Sequence, residues 1–238
     1  MRLLVQFPTY KRPAKFLACF EKYVFSASGK HDIFFNVNCD DGDEQCATPQ
    51  FVDYVNDILV DRGLKNICSH VYFDKNTEKI SAINAHIDTA TFDILVCASD
   101  DMIPVFEGWD DEIVIAMQHF FPNLDGALHF DDSYTADKLI TLSIMGVELY
   151  KHFGYIYHPD YKGLYCDNEY TREVKRMGKY AYIGKCIIRH EHYAEKNNSN
   201  TGDVDETANK TLRFAGRDEQ VFKQRLALGF PKEKITND

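Results

Sequence analysis

The sequence predicts an α/β fold with a mixed, mainly parallel central sheet flanked by helices and followed by a C-terminal helical extension. Three observations carry that expectation. Short apolar, β-rich runs alternate with helix-period segments through the first half, the pattern of successive βαβ units. One such run, Ile94-Leu95-Val96-Cys97-Ala98, is apolar at every position, as in a strand covered on both faces. The 238 residues, 45% of them apolar and 13% aromatic, suffice for one sizeable core.

The elements follow in order. Residues 3–7 read as the first strand. Pro13 then suits a first helical turn, after which Phe16, Leu17, Phe20 and Val24 recur at helical spacing. Residues 33–38 form the second strand and run into the acidic turn Cys39-Asp40-Asp41-Gly42-Asp43. Thr48-Pro49 supplies a cap and a first-turn proline for a helix carrying Phe51, Val52, Val55, Ile58 and Leu59. Residues 70–73 make a third strand, Ile80, Ile83 and Ile87 a third helix, and the apolar run from Ile94 a fourth strand that ends in Ser99-Asp100-Asp101.

The second half is less regular. It has a helix from Trp109, strands around 127–130 and 140–147, a helix with Tyr170, Val174 and Met177, and a strand over 186–192. A polar loop at 197–202 precedes a last helix with Val221, Phe222 and Leu226. No repeat, low-complexity block or linker divides the chain.

Composition removes several classes of function. A net charge of -10 and a pI near 5.4 argue against nucleic acid and anionic membranes as partners, since both require a basic face. A nucleotide diphosphate stays admissible if a divalent cation sits between its phosphates and the protein's carboxylates. The seven cysteines are odd in number, show no CxxC pair and mostly lie in apolar runs, so they read as reduced core thiols. The apolar start is broken by Pro8 and followed by charge, which fits neither a signal peptide nor an anchor, and no later run reaches a membrane-spanning length; a cytoplasmic location is expected.

In an open α/β sheet ligands bind beyond the carboxyl ends of the strands. Three such ends are polar here: Phe7-Pro8-Thr9-Tyr10-Lys11-Arg12, Asp40-Asp41 and Ser99-Asp100-Asp101. Singly, each is an ordinary turn or cap. Together they would place cations and two acidic pairs along one edge.

The stretches FPTYKRP, VNCDDGD, NTEKISAIN and LVCASDDMIPVFEGWDD, in this order and spacing, resemble the nucleotide-binding half of the family-2-like GT-A (Rossmann-like) glycosyltransferases, and the resemblance covers roughly residues 2 to 193. It implies a catalytic domain at 1–193, with 1–101 the nucleotide half and 102–193 the acceptor half, and an extension at 194–238. It also implies transfer of a sugar from a nucleotide-diphosphate donor to a hydroxyl of a glycan or other acceptor.

The resemblance assigns Pro8, Thr9, Tyr10 and Arg12 to the first nucleotide loop, and Asp40 or Asp41 to the base. A carboxylate suits the imide N–H of uracil, so a UDP-sugar leads, with GDP- and dTDP-sugars open. Asn76, Lys79 and Asn84 take the place of a family helix-start motif near the donor; Lys79 then meets phosphate or sugar, or is an ordinary solvated lysine. Ser99-Asp100-Asp101 falls where the family has D-x-D, which makes Asp101 the direct ligand of Mn²⁺ or Mg²⁺. With serine at the first position, Asp100 is left to ribose, sugar or a metal-bound water. His190 and His192 share one face of a strand, and one of them resembles a late metal ligand; alternatively both are core or surface histidines.

Asp167 matches the family's general base, Cys166 replaces the usual glutamate before it, and Glu169 is the substitute candidate. Helix capping is the other reading of Asp167. Trp109 is expected either to stack on a sugar or to join the core, and Tyr134, Tyr155, Tyr157 and Tyr161 to line an acceptor cleft. The 197–202 loop is a candidate lid, and Asp205-Glu206-Thr207 with the final helix from Arg217 either close over the donor or pack under the sheet. The implied mechanism is a single inverting displacement in which Asp167 takes the acceptor proton while the cation neutralises the departing diphosphate. Two rivals stand beside it: a nucleotidyltransferase, whose glycine-rich first loop FPTYKRP lacks, and a carbohydrate-binding module without turnover.

Overall fold

The computed structural model describes residues 1–75, 78–191 and 206–232. The first half consists of β1 (Arg2–Thr9), α1 (Pro13–Phe25), β2 (Asp32–Asp40), α2 (Pro49–Arg62), β3 (Ile67–Asp74), α3 (Lys79–Asn84) and β4 (Ile94–Cys97). Then come β5 (Met102–Pro104), α4 (Trp109–Phe120), β6 (Ala127–Phe130), β7 (Ile144–Gly146), α5 (Val147–Phe153), α6 (Cys166–Arg176), β8 (Tyr180–Ile183) and β9 (Ile188–His190). Two helices follow, α7 (Glu206–Leu212) and α8 (Ala215–Ala227).

Seven strands form one sheet in the order β3-β2-β1-β4-β7-β6-β8. All neighbours run parallel except β7, which is antiparallel to both β4 and β6. The predicted mixed, mainly parallel sheet is therefore present. β5 and β9 pair separately as an antiparallel ribbon, so the late strand predicted at 186–192 is outside the main sheet.

The two faces of the sheet have different chemistry. On one, Leu3, Val5, Phe7, Phe35, Val37 and Val96 are buried against α1, α2 and α4, and Trp109 lies fully inside this layer with its indole N–H donating to the Tyr23 carbonyl at 3.0 Å. Trp109 is thus a core residue rather than a sugar platform. On the other face β1 and β2 begin with Leu4 and Phe34 but turn polar toward their ends, with Gln6, Asn36 and Asn38 all buried. Gln6 donates to the carbonyls of Ala82 and Ala85 at 3.3 and 2.7 Å. His86 then adopts a left-handed φ of 56°, so α3 stops at Asn84 and the predicted Ile87 lies beyond it.

The expected strand at 140–147 contracts to three residues. Gly146 explains the limit: an added Cβ would meet the Leu124 carbonyl oxygen at 2.2 Å, and Val147 already opens α5. All seven cysteines are free thiols, five of them buried.

The extension packs back through buried polar contacts. Arg225 on α8 is fully buried and grips both oxygens of Glu169 on α6 at 2.8 Å. Asp218, equally buried, accepts the backbone N–H groups of Lys162, Gly163 and Leu164 at 2.8 to 3.1 Å.

Candidate active site

The carboxyl ends of β1, β2 and β4 open into one cavity of about 720 Å³. Its walls come from the whole chain: the β1–α1 loop, the end of β2, α3, the acidic turn after β4, the start of α6, β9 and α7. Of the residues singled out from sequence, Pro8, Thr9, Tyr10, Arg12, Asp40, Lys79, Asp100, Asp101, Asp167 and His190 all line it.

The first loop is held in shape by a residue the sequence reading passed over. Asp43, fully buried, accepts the N–H groups of Lys11, Gln45 and Cys46 at 2.5 to 3.2 Å. Lys11 has a left-handed φ of 53°, a conformation that costs energy without a Gly and is sustained here by that carboxylate. Arg12 follows, and Pro13 starts α1 behind it. Arg12 Nη1 and Lys15 Nζ converge on Asp100 Oδ1 at 3.0 and 3.3 Å. Asp100 is thereby committed to cations of the protein.

Asp101 is placed differently. Its Oδ1 accepts from the Ser99 hydroxyl, and its Oδ2 lies 3.9 Å from His190 Nε2. The ribbon causes this proximity, because Met102 on β5 pairs with His190 on β9. Burial pushes the Asp101 carboxyl up, but His190, the Ser99 hydroxyl, Lys79 and Lys15 outweigh it and hold the group below its usual value. An ionised oxygen and an imidazole nitrogen side by side fit a divalent cation. Among the described residues no cluster of three or more His, Cys, Asp or Glu side chains is assembled, so the rest of the coordination sphere would come from a ligand and water, as Mg²⁺ commonly accepts.

Across the cavity, Asp167 is the second residue of α6, with Tyr165 at the N-cap in a left-handed conformation. Asp167 is therefore not the capping residue. Its Oδ1 accepts from the Asn168 N–H at 2.9 Å, and burial pushes its carboxyl above the usual value against the pull of that bond and of Lys79. Lys79, at the first position of α3, is exposed on the cavity wall, where its charge bears on both Asp101 and Asp167.

Several expectations fall elsewhere. Asp41 is exposed and absent from the lining, so of the β2 pair only Asp40 reaches the cavity. Glu169 faces away: Arg225 and the Tyr161 hydroxyl, at 2.7 Å, occupy its oxygens, and it cannot double as a base at Asp167. Asn84 is structural, accepting from the Ile156 and Tyr157 N–H groups at 2.9 and 3.3 Å. Tyr134 and Tyr157 line the cavity, whereas Tyr155 and Tyr161 do not. Asn76, His192 and the 197–202 loop lie outside the described residues.

Other lining residues had no sequence signal of their own. Lys15, Asn38, Lys162 and Lys210 reach the cavity from four elements or loops. Lys162 Nζ pairs with Glu78 at 2.7 Å. Lys210, on α7, lies 3.9 Å from the centre of the Tyr10 ring and 3.9 Å from Asp40 Oδ2, so α7 covers the Asp40 side of the cavity, whereas the last helix, α8, lines none of it and packs against α6 through Arg225 and Glu169.

This architecture is the GT-A fold. The chain is similar to a mannosyltransferase from Pyrobaculum calidifontis solved with GDP-Man and Mn²⁺, at 15% identity and a TM-score of 0.59 over 78% of this chain and 54% of that one. It is similar also to S. aureus TarS with UDP-GlcNAc, at 13% identity and a TM-score of 0.58 over 79% and 58% of the two chains. A third likeness is to glucosyl-3-phosphoglycerate synthase from Mycobacterium tuberculosis with Mg²⁺ and UDP, at 13% identity and a TM-score of 0.52 over 83% and 74%. The chain thus spans little more than half the length of the first two. No family model matches the sequence, and no curated protein does. Among the described residues, no helix is long and apolar enough to cross a membrane.

Proposed function

We propose that the protein is a glycosyltransferase that moves a sugar from a nucleoside diphosphate, UDP first among the candidates and GDP or dTDP after it, to an acceptor hydroxyl with inversion. The observation that carries this reading is a single cavity in which the Asp101–His190 pair and the carboxylate of Asp167 face a shared space. Asp40 accepts a base N–H, while Tyr10 and the first loop hold the nucleoside. Asp101 and His190 would hold Mn²⁺ or Mg²⁺, which when bound supplies positive charge to the diphosphate. Arg12 and Lys15 fix Asp100 at the rim of that site.

Asp167 removes the acceptor proton during attack. Burial makes its carboxylate a stronger base than a solvated aspartate, which is what an unactivated hydroxyl requires. The test is calorimetric titration of UDP, GDP and dTDP with and without Mn²⁺, followed by slow hydrolysis of the matching nucleotide sugars. Cation-dependent binding of one nucleotide that disappears in Asp101→Ala is expected; binding of none would overturn the reading.

A further inference from the structure

Gln6, Asn36 and Asn38 are buried polar residues whose side-chain oxygens have no hydrogen-bond partner among the described residues, and of the three only Asn38 lines the cavity. It lies on a strand whose neighbouring Val37 and Cys39 are buried in the core, is itself fully buried, and yet lines the cavity. Its Nδ2 reaches only the Asn36 carbonyl, at 3.5 Å, and its Oδ1 has no hydrogen-bond partner among the described residues. A buried acceptor left unpaired is costly, and a strand interior would ordinarily be apolar at this position. The cost is removed if a ligand supplies the donor.

The position of Asn38 says which part of a ligand that is. Asn38 and Asp40 are two residues apart on β2, hence on the same face, and both line the cavity about 6.6 Å apart along the strand. Ala82 and Ile83 of α3 add apolar side chains to the same cavity lining, which suits the flat ring or the sugar of a nucleoside. Two acceptors in a row call for a ligand with two donors.

Resting on the donor reading above, we propose that Asn38 Oδ1 accepts a hydrogen bond from a second donor of the bound nucleoside, beyond the base N–H that meets Asp40, and so sets which nucleoside is selected. Two groups carry that chemistry: the ribose 2′-hydroxyl and the exocyclic amine of guanine. The nucleoside is read by a pair of β2 residues instead of by one carboxylate.

The experiment compares matched ligands by calorimetry with Mn²⁺ present: UDP against 2′-deoxy-UDP, and GDP against IDP, which lacks the amine. The wild-type protein is expected to lose roughly tenfold in affinity within one pair, the size of a single hydrogen bond to a buried acceptor. A difference in the first pair identifies the ribose hydroxyl, and one in the second identifies guanine. Asn38→Leu should erase that difference and leave binding of Mn²⁺-pyrophosphate unchanged; Asn38→Ala serves if the leucine variant does not fold. Equal affinities within both pairs, or a difference that survives the substitution, would overturn the inference while the donor site stands. Failure of every nucleotide to bind the wild-type protein would remove the donor reading itself, and this inference with it.

Discussion

At the scale of single residues, Asp167 in its proposed role as base would couple activity to stability with opposite signs. Its carboxyl is raised by burial, so folding favours the protonated form; the stability this contributes is present at acid pH and is lost as pH rises through the raised value. Asp167→Asn is therefore expected to raise Tm at pH 7, with the gain shrinking as pH falls toward the ordinary carboxylate value of about 4, as thermal melts across pH would record. The same substitution should cost transfer two orders of magnitude or more while nucleotide affinity holds. In the wild type, the acid limb of kcat should lie above the ordinary carboxylate range, because the base works only when deprotonated. Much of this site was legible residue by residue: Asp40, Asp101 and Asp167 stand at strand ends or a helix start. Asp43 and Asn38 were not, since nothing in a sequence says which of several turn or strand polar groups will be buried.

At the scale of elements, α8 supports α6 from behind. Arg225→Met leaves Glu169 buried without its cation and should destabilise the fold by about 3–5 kcal/mol in denaturant unfolding. Arg225→Met combined with Glu169→Leu should recover a good part of that loss, since no uncompensated charge is left behind. Additive losses would mean that the two side chains stabilise independently. The long helices α1, α2 and α4 were readable because burying one face against the sheet imposes a helical period on their apolar residues. Ribbon strands of three residues such as β5 are too short to impose any period, and α5 begins where Gly146 must approach Leu124, a contact made by the fold and invisible in composition.

For the whole molecule, charge and site must be considered together. The protein carries a net charge of -10, and the cations at the cavity are largely matched by carboxylates: Arg12 and Lys15 by Asp100, Lys162 by Glu78, Lys210 by Asp40. A nucleotide diphosphate approaches such a surface at an electrostatic disadvantage. Chelating the divalent cation with EDTA should therefore weaken nucleotide binding at least tenfold, and moderate salt should partly offset that loss by screening the repulsion; calorimetry at two ionic strengths checks both. Binding that is indifferent to EDTA would argue against the Asp101–His190 centre.

The ribbon also sets a timetable. Asp101 waits at the end of β4 until β9, nearly ninety residues later in the chain, brings His190 alongside Met102. Loop 162–164 is tied down only when α8 delivers Asp218. The core around Trp109 is built mainly from β1, β2, β4, α1, α2 and α4, takes only Ile187 and Ile188 from the late side of the ribbon, and nothing from α8. In refolding, tryptophan fluorescence should recover before nucleotide binding does, and a growing chain would hold a formed core while still unable to engage its ligand.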